Sequence, residues 1–494
     1  MAVLSFLDKD RSVAGPGYNR WLAPPAALAI HLSIGQVYAW SVFNIPLAQL
    51  VGGAKSAPGD WTRVQVGWTF SIAIAVLGLT AAFMGKWLER NGPRKAMVIA
   101  ALCFGGGFEI AALGVHLHQI ALLYLGYGVV GGFGLGLGYL APVANLVRWF
   151  NDRPGLATGM AIMGFGGGAM VGSPLAKDLM AHFAPDAAHL GVAPAMVVMG
   201  AVYGFAMLFG AAIVRVPPAD YRPAGAPAAP KVGPAPTTPG VSSAPGSSSP
   251  GPASASPKGN VANIPFAVAV RTPQFWLLWV ALCVNTTAGI SILEKASPLI
   301  IDFFGKALGP TDKAQSATAA GFVGFISLFN AGGRFAWSTV SDYLGRKATF
   351  AAFFLLGIPL YALLTRTDAH HLNSVVLFVA IIAVLLSIYG GGFATMPAYL
   401  RDVFGTKDLN AIYGLMLTAW SVAGVLGPQL VNGLSDHLIN TGTPSTNAYA
   451  TVYYVMSGLL AVGLVCDLLV RPVKADVSVA GDVPAVGPVP AGDH

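Results

Sequence analysis

Of the 494 residues, 55% are hydrophobic and only 10% charged, whereas ordinary soluble domains carry about 25% charged residues; this excludes a soluble protein and points to an integral membrane protein. The formal net charge of +7 does not indicate nucleic acid, because the basic residues sit in short loops between apolar runs rather than on an aromatic-studded soluble face. The 61 glycines suit membrane helices, which pack through small residues because lipid supplies no hydrophobic drive for association.

The first 20 residues are polar, with Asp8, Lys9, Asp10, Arg11 and Arg20, and no cleavable signal segment is expected in them. A helix needs about 20 apolar residues to cross the hydrocarbon core, and twelve runs meet or approach that length. The first six lie near Leu22 to Leu50, Val64 to Met84, Ala96 to Leu117, Ile120 to Val147, Leu156 to Leu175 and Ala193 to Val216. The second six lie near Phe275 to Ile301, Ala317 to Val340, Thr349 to Thr365, Val375 to Tyr399, Ile412 to Leu434 and Tyr449 to Val470. An all-α membrane protein of twelve transmembrane helices is therefore predicted, with bundles at 21–216 and 272–474. A tail at 1–20, a Pro-, Ala-, Gly- and Ser-rich linker at 217–271 and a tail at 475–494 flank them, too poor in apolar residues to order themselves. Cys103, Cys283 and Cys466 each fall in a different run, without metal or disulfide spacing.

The N-terminus, the even-numbered loops and the C-terminal tail hold 20 of the 28 basic residues. The positive-inside rule then places both termini and the linker in the cytoplasm, consistent with an even number of crossings. The chain also repeats itself. Gly85-Lys-Trp-Leu-Glu89-Arg90-Asn-Gly92-Pro-Arg94-Lys95 follows the second run, and Ser341-Asp342-Tyr-Leu-Gly345-Arg346-Lys347 follows the eighth. A shift of 253 residues superposes Glu89 on Asp342, Gly92 on Gly345 and Arg94 on Lys347, as expected for parallel repeats about an axis along the membrane normal. Charge pairing of Glu89, Arg90, Arg94, Asp342 and Arg346 between the halves is one expected gate; fixing orientation alone would also account for the basic residues.

These turns resemble the signature of the major facilitator superfamily. Gly35-Gln36-Val-Tyr38-Ala-Trp40 in the first run, Arg148-Trp149-Phe150-Asn-Asp-Arg153-Pro-Gly155 after the fourth, and Asn330-Ala-Gly-Gly-Arg334 in the eighth are similar to the oxalate/formate antiporter family, itself related to the monocarboxylate transporters. The resemblance implies that Arg334 grips a substrate carboxylate and that Tyr139 and Tyr389 hydrogen-bond it. Oxalate-exchanging members carry a second cation, a Lys, in helix eleven, and the matching stretch here has Trp420. Proton-coupled monocarboxylate transporters tend to have an Asp one turn before the Arg, where this chain has Asn330.

The residues support the same focus. An intramembrane Arg is costly, by roughly 2.5–3.5 kcal/mol on insertion scales, and marks a functional site by default. Asn330 and Arg334 share a helical face, and a guanidinium can hold a carboxylate through two parallel hydrogen bonds. A structural ion pair with an acid is the other reading of Arg334. Gln36, Tyr38, Trp40 and Trp420 are expected as cavity walls, although aromatics in membrane helices also serve as packing or interfacial anchors. Glu109, His31 and Glu294 are the candidate proton carriers. The Gly-rich runs lack a phosphate-loop ending, and no nucleophile or paired-carboxylate arrangement suggests hydrolysis.

The expectation is a carrier, not an enzyme, without cofactor or metal. It would move lactate-, pyruvate- or formate-type anions by alternating access, coupled to protons or to anion exchange. The alternatives are an oxalate or dicarboxylate:formate antiporter and a non-transporting membrane sensor. Its partners would be a small carboxylate, the lipid bilayer and, in the coupled case, protons, with the protein acting as a monomer in a cell membrane of the bacterial inner-membrane type.

Overall fold

The computed structural model describes residues 6–53, 57–150, 152, 154–184, 190–218, 221, 264–308, 312–366, 372–405, 408–443 and 445–473. Most of the predicted linker and the tail after Val473 lie outside these residues. The chain builds its first span from α1 (Ala23–Ile34), a 3-10 turn at Gly35–Ala39 and α2 (Ser41–Leu47), bent by 45° at the break. There follow α3 (Arg63–Asn91), α4 (Pro93–His116), α5 (Ile120–Trp149), α6 (Pro154–Phe183) and α7 (Val192–Ile213). The second half comprises α8 (Pro273–Leu308), α9 (Asp312–Leu344), α10 (Arg346–Leu364), α11 (Leu372–Phe404), the broken pair α12 (Leu409–Met416) and α13 (Thr418–Asn440), and α14 (Ser445–Leu469).

Local chemistry sets several helix ends. At α3, Thr62 and Gln65 form a capping box, satisfying backbone donors that the first turn otherwise leaves open. Gly92 and Gly345, 253 residues apart, adopt φ 84° and 88° immediately before α4 and α10. That is the left-handed region that glycine enters without a Cβ penalty, so the sequence repeat is also a repeat of backbone conformation.

Among the described residues ten helices are long and apolar enough to span a membrane, and the bent α1–α2 pair, taken as one span, makes an eleventh. The twelfth predicted span is α9, which has the length but not the apolarity. Its polarity follows from what it carries: Asn330, Arg334, Ser338 and Ser341 are all buried. A helix with a polar stripe of this kind is stable in a membrane only if that stripe faces protein.

Helices α1–α7 pack mainly among themselves, as do α8–α14, and the halves meet along α6 on α9 and along α3 on α12 and α13. Counted as spans, these are five on eight and two on eleven, pairs that exchange under a shift of six. Close backbone approach makes both seams. A Cβ on Gly78 would lie 2.5 Å from the Leu417 carbonyl oxygen, and one on Gly166 would lie 2.8 Å from the Ala331 nitrogen.

Both repeat halves place their ends on one face, called here the terminal face. Ala14 N–H donates to the Val216 carbonyl and Val216 N–H to that of Ser12, both at 2.8 Å. Ile264 N–H donates to the Phe404 carbonyl at 2.9 Å and Phe266 N–H to Asp408 Oδ2 at 2.8 Å. The last residues of the predicted linker are therefore part of the second half.

Candidate functional site

At the seam of α6 and α9, Arg334 is fully buried. Two glycines make room for it: a Cβ on Gly166 of α6 would lie 2.9 Å from its Nε, and one on Gly390 of α11 would lie 3.0 Å from its Cγ. The guanidinium carbon sits 5.4 Å from the ring centre of Phe165 in the first half and 5.3 Å from that of Phe393 in the second. Cation–π attraction of this kind reaches about 2 kcal/mol when desolvated, and two rings also hold the guanidinium in place.

Its hydrogen bonds go to neutral groups. Nε donates to Asn330 Oδ1 at 3.2 Å and Nη2 to the Tyr38 hydroxyl at 3.3 Å. Among the described residues Nη1 has no acceptor in hydrogen-bonding geometry, and neither has Asn330 Nδ2 or the Trp420 indole nitrogen, although the Tyr139 hydroxyl lies near enough to act on the guanidinium. No carboxylate pairs with Arg334 among the described residues, which argues against the purely structural ion pair. Around Arg334 buried donors are in excess and one positive charge has no acid beside it, an arrangement suited to an anion with several acceptor sites.

Two tyrosine pairs cross between the halves beside this charge. The hydroxyls of Tyr38 and Tyr389 are 2.7 Å apart, and those of Tyr139 and Tyr413 are 3.2 Å apart. Trp420 closes the cluster, with ring centres 4.3 Å from Phe393 and 5.3 Å from both Tyr139 and Phe165. The structure thus brings together Arg334, Asn330, Tyr38, Tyr139, Tyr389 and Trp420, and adds Phe165, Phe393 and Tyr413. Nothing in the composition of an apolar run separates these added rings from packing residues.

Gln36 and Trp40 lie elsewhere. Gln36 accepts from the Tyr127 hydroxyl at 3.0 Å, and the Trp40 ring packs 4.3 Å from Tyr127, inside the first half. The reason is spacing: residues two apart cannot share a helical face, so with Tyr38 turned toward Arg334 its neighbours turn away. Of the candidate proton carriers, Glu109 is exposed on the outer side of the bundle, where a Cβ on Gly200 of α7 would lie 2.8 Å from its Oε1. Glu294 is buried where α2 meets α8, its carbonyl accepting from Asn44 Nδ2 at 3.1 Å. His31 is fully buried and packs on Tyr139, with ring centres 5.6 Å apart.

The charged turns divide into two roles. Arg94 donates to the Phe6, Arg11 and Val214 carbonyls at 3.0, 3.3 and 3.1 Å, and Lys347 donates to those of Leu468 and Val470 at 2.8 and 2.7 Å. Both repeat-related bases therefore cap the end of the last helix of their own half, where a cation meets unsatisfied carbonyls, instead of pairing across the halves. Arg346 likewise bonds within its half, to Asp342 and, at 3.4 Å, to Asp402. Asp342 does face the other half: a Cβ on Gly155 of α6 would lie 2.5 Å from its Oδ2. Arg90 is exposed, and Glu89 lines a small hollow with Arg148.

A family model described as Major Facilitator Superfamily matches residues 18–428 and again 296–482. The chain is 26% identical over 474 residues to the oxalate:formate antiporter of Oxalobacter formigenes, covering 95% of this chain and 96% of the relative. It is 24% identical over 452 residues to apicoplast pyruvate carrier 1 of Toxoplasma gondii, covering 83% and 76%. Among solved structures, the inward-facing, unoccupied bacterial homologue of the human lysosomal transporter Spinster matches with a TM-score of 0.60 at 14% identity, over 94% of this chain and 99% of that one. That likeness concerns the fold.

Proposed function

Because the chain belongs to the major facilitator superfamily, whose members are membrane transporters, we propose that it carries small monocarboxylate anions across the membrane by alternating access around Arg334. The observation that supports this most directly is the buried guanidinium with an open Nη1, no acid beside it and further unpartnered donors at Asn330 and Trp420. A carboxylate supplies one negative charge and two acceptor oxygens in a plane, which matches a fixed guanidinium fork. A substrate oxygen that takes over Nη2 would displace the Tyr38 hydroxyl and free it to rotate onto the same carboxylate.

The site's charge favours a monoanion over oxalate. One Arg balances one carboxylate, and the place of a second cation is held by Trp420, packed by Phe393. The similarity to the Oxalobacter antiporter supports the second reading, oxalate exchange against formate. In the proposed cycle α6 and α9 part on the terminal face as the halves rock, with Asp342 over the start of α6 holding that face shut. We assign the terminal face to the cytoplasm, on the distribution of Lys and Arg.

Uptake of labelled lactate, pyruvate, formate and oxalate into proteoliposomes tests the proposal. Monocarboxylate flux is expected; no flux of any acid sinks the carrier reading, and oxalate exchange without monocarboxylate uptake sinks the substrate choice. Arg334→Lys keeps the charge and loses the planar fork. Losing one charge-assisted hydrogen bond of about 1.5–3 kcal/mol lowers kcat/KM roughly 10- to 150-fold; undiminished transport would rule out a two-bond grip.

A further inference from the structure

The ring of His31 makes contacts that the anion site leaves unexplained. It is fully buried between α1, α5 and α6, and both of its nitrogens lie on carbonyl oxygens: Nδ1 on that of Ala161 in α6, and Nε2 on that of Tyr139 in α5 at 3.3 Å. Neutral imidazole donates from one nitrogen only, so its other lone pair would point at a carbonyl oxygen. The imidazolium donates from both. The cradle thus has the acceptors that a protonated ring requires and no donor for an unprotonated nitrogen.

Position links this cradle to the substrate. The Tyr139 residue whose carbonyl faces Nε2 also packs its ring on His31 and places its hydroxyl on Tyr413 beside Arg334. Among the described residues the charged group acting on His31 is Arg334, while Tyr139 meets it through its backbone carbonyl and its ring. The membrane lengths of α1, α5 and α7 contain no acidic residue, and α6 has only Asp178, 17 positions beyond Ala161 and so about 25 Å along the helix. No carboxylate competes for the proton.

We propose that His31 is the proton-binding site of this carrier, loaded together with the substrate anion; this rests on the reading of Arg334 given above. Without a bound anion Arg334 is the nearby charge among the described residues, and it opposes a second cation. A carboxylate on Arg334 removes that opposition, so anion and proton favour each other's binding, reciprocally. The accounting closes: the empty site carries +1 from Arg334, and the loaded site carries +1 from Arg334, −1 from the carboxylate and +1 from the imidazolium. The moving unit has the same charge in both directions.

The test uses labelled pyruvate and the full-length carrier in proteoliposomes, comparing wild type with His31→Gln, whose amide both donates and accepts. With the outside one pH unit more acidic, one-to-one coupling gives the wild type about tenfold accumulation. His31→Gln accumulates nothing beyond equilibration but still exchanges internal for external pyruvate at saturating concentration, with a raised KM because no proton assists anion binding, since exchange requires no net proton movement. Wild-type exchange without proton-driven accumulation, or a variant that still accumulates tenfold, overturns the role of His31 and leaves Arg334 standing. No exchange by wild type overturns both. If the variant also loses exchange, pH measurement in weakly buffered detergent decides: saturating pyruvate draws about one proton per wild-type carrier and none per variant that still binds pyruvate. Equal proton uptake by both overturns the proposal.

Discussion

At Trp420 a large neutral ring lies 4.3 Å from Phe393, its indole N–H without an acceptor. On the proposed function this residue sets how many negative charges the site can balance, because one buried cation compensates one carboxylate and a second carboxylate would be left unpaired at a cost of several kcal/mol. Trp420→Lys is therefore expected to raise oxalate uptake relative to pyruvate in a proteoliposome panel, with pyruvate transport falling as the aromatic packing is lost. An unchanged oxalate-to-pyruvate ratio would show that the ring is a wall and sets no charge preference. Arg334 and Asn330 were legible in the sequence because a charge and an amide stand out in an apolar run. Tyr413, Phe165 and Phe393 were not, because an aromatic in such a run reads as packing until its neighbours in space are known.

At the scale of elements, the seam of α6 and α9 is closed by contacts that leave no space for a side chain at Gly155 or Gly159. A Cβ at Gly159 would lie 2.4 Å from Ser338 Oγ. Gly155→Leu should cost this arrangement about 1–3 kcal/mol by overpacking and shift carriers toward states open on the terminal face. In a variant lacking Cys103, Cys283 and Cys466, a Thr158→Cys probe at the buried position beside the seam should then react some 5- to 150-fold faster with an impermeant maleimide from that face. Equal rates would show that the Asp342–Gly155 contact does not hold the seam. The element count was legible from run length, and the 253-residue repeat located the two glycine turns. The break of the first span was not legible: the 3-10 turn at Gly35–Ala39 that precedes the bend lies against α6, where a Cβ on Gly35 would meet the Phe165 carbonyl oxygen, a contact made between residues far apart in the chain. The spacing itself carries the placement of Gln36 and Trp40: four apart with Tyr38 between them, they share a face that Tyr38 does not.

For the whole molecule, the two halves are tied across the site by hydroxyl pairs and by an arginine held between one ring from each half, so an anion bound there as proposed would touch both halves at once. Arg334 Nη1 has no acceptor in hydrogen-bonding geometry among the described residues, and a buried donor left in that condition costs about 1–3 kcal/mol. In the proposed cycle the carrier passes through closure on every crossing, loaded in one direction and, during net transport, empty on the return. The return leg is then the slow one. Labelled substrate should leave proteoliposomes roughly 5- to 150-fold faster when unlabelled substrate waits outside than when none does, and equal rates would mean that another group or water satisfies the guanidinium during the empty passage. A single unanswered N–H would make this protein a fast exchanger and a slow pump.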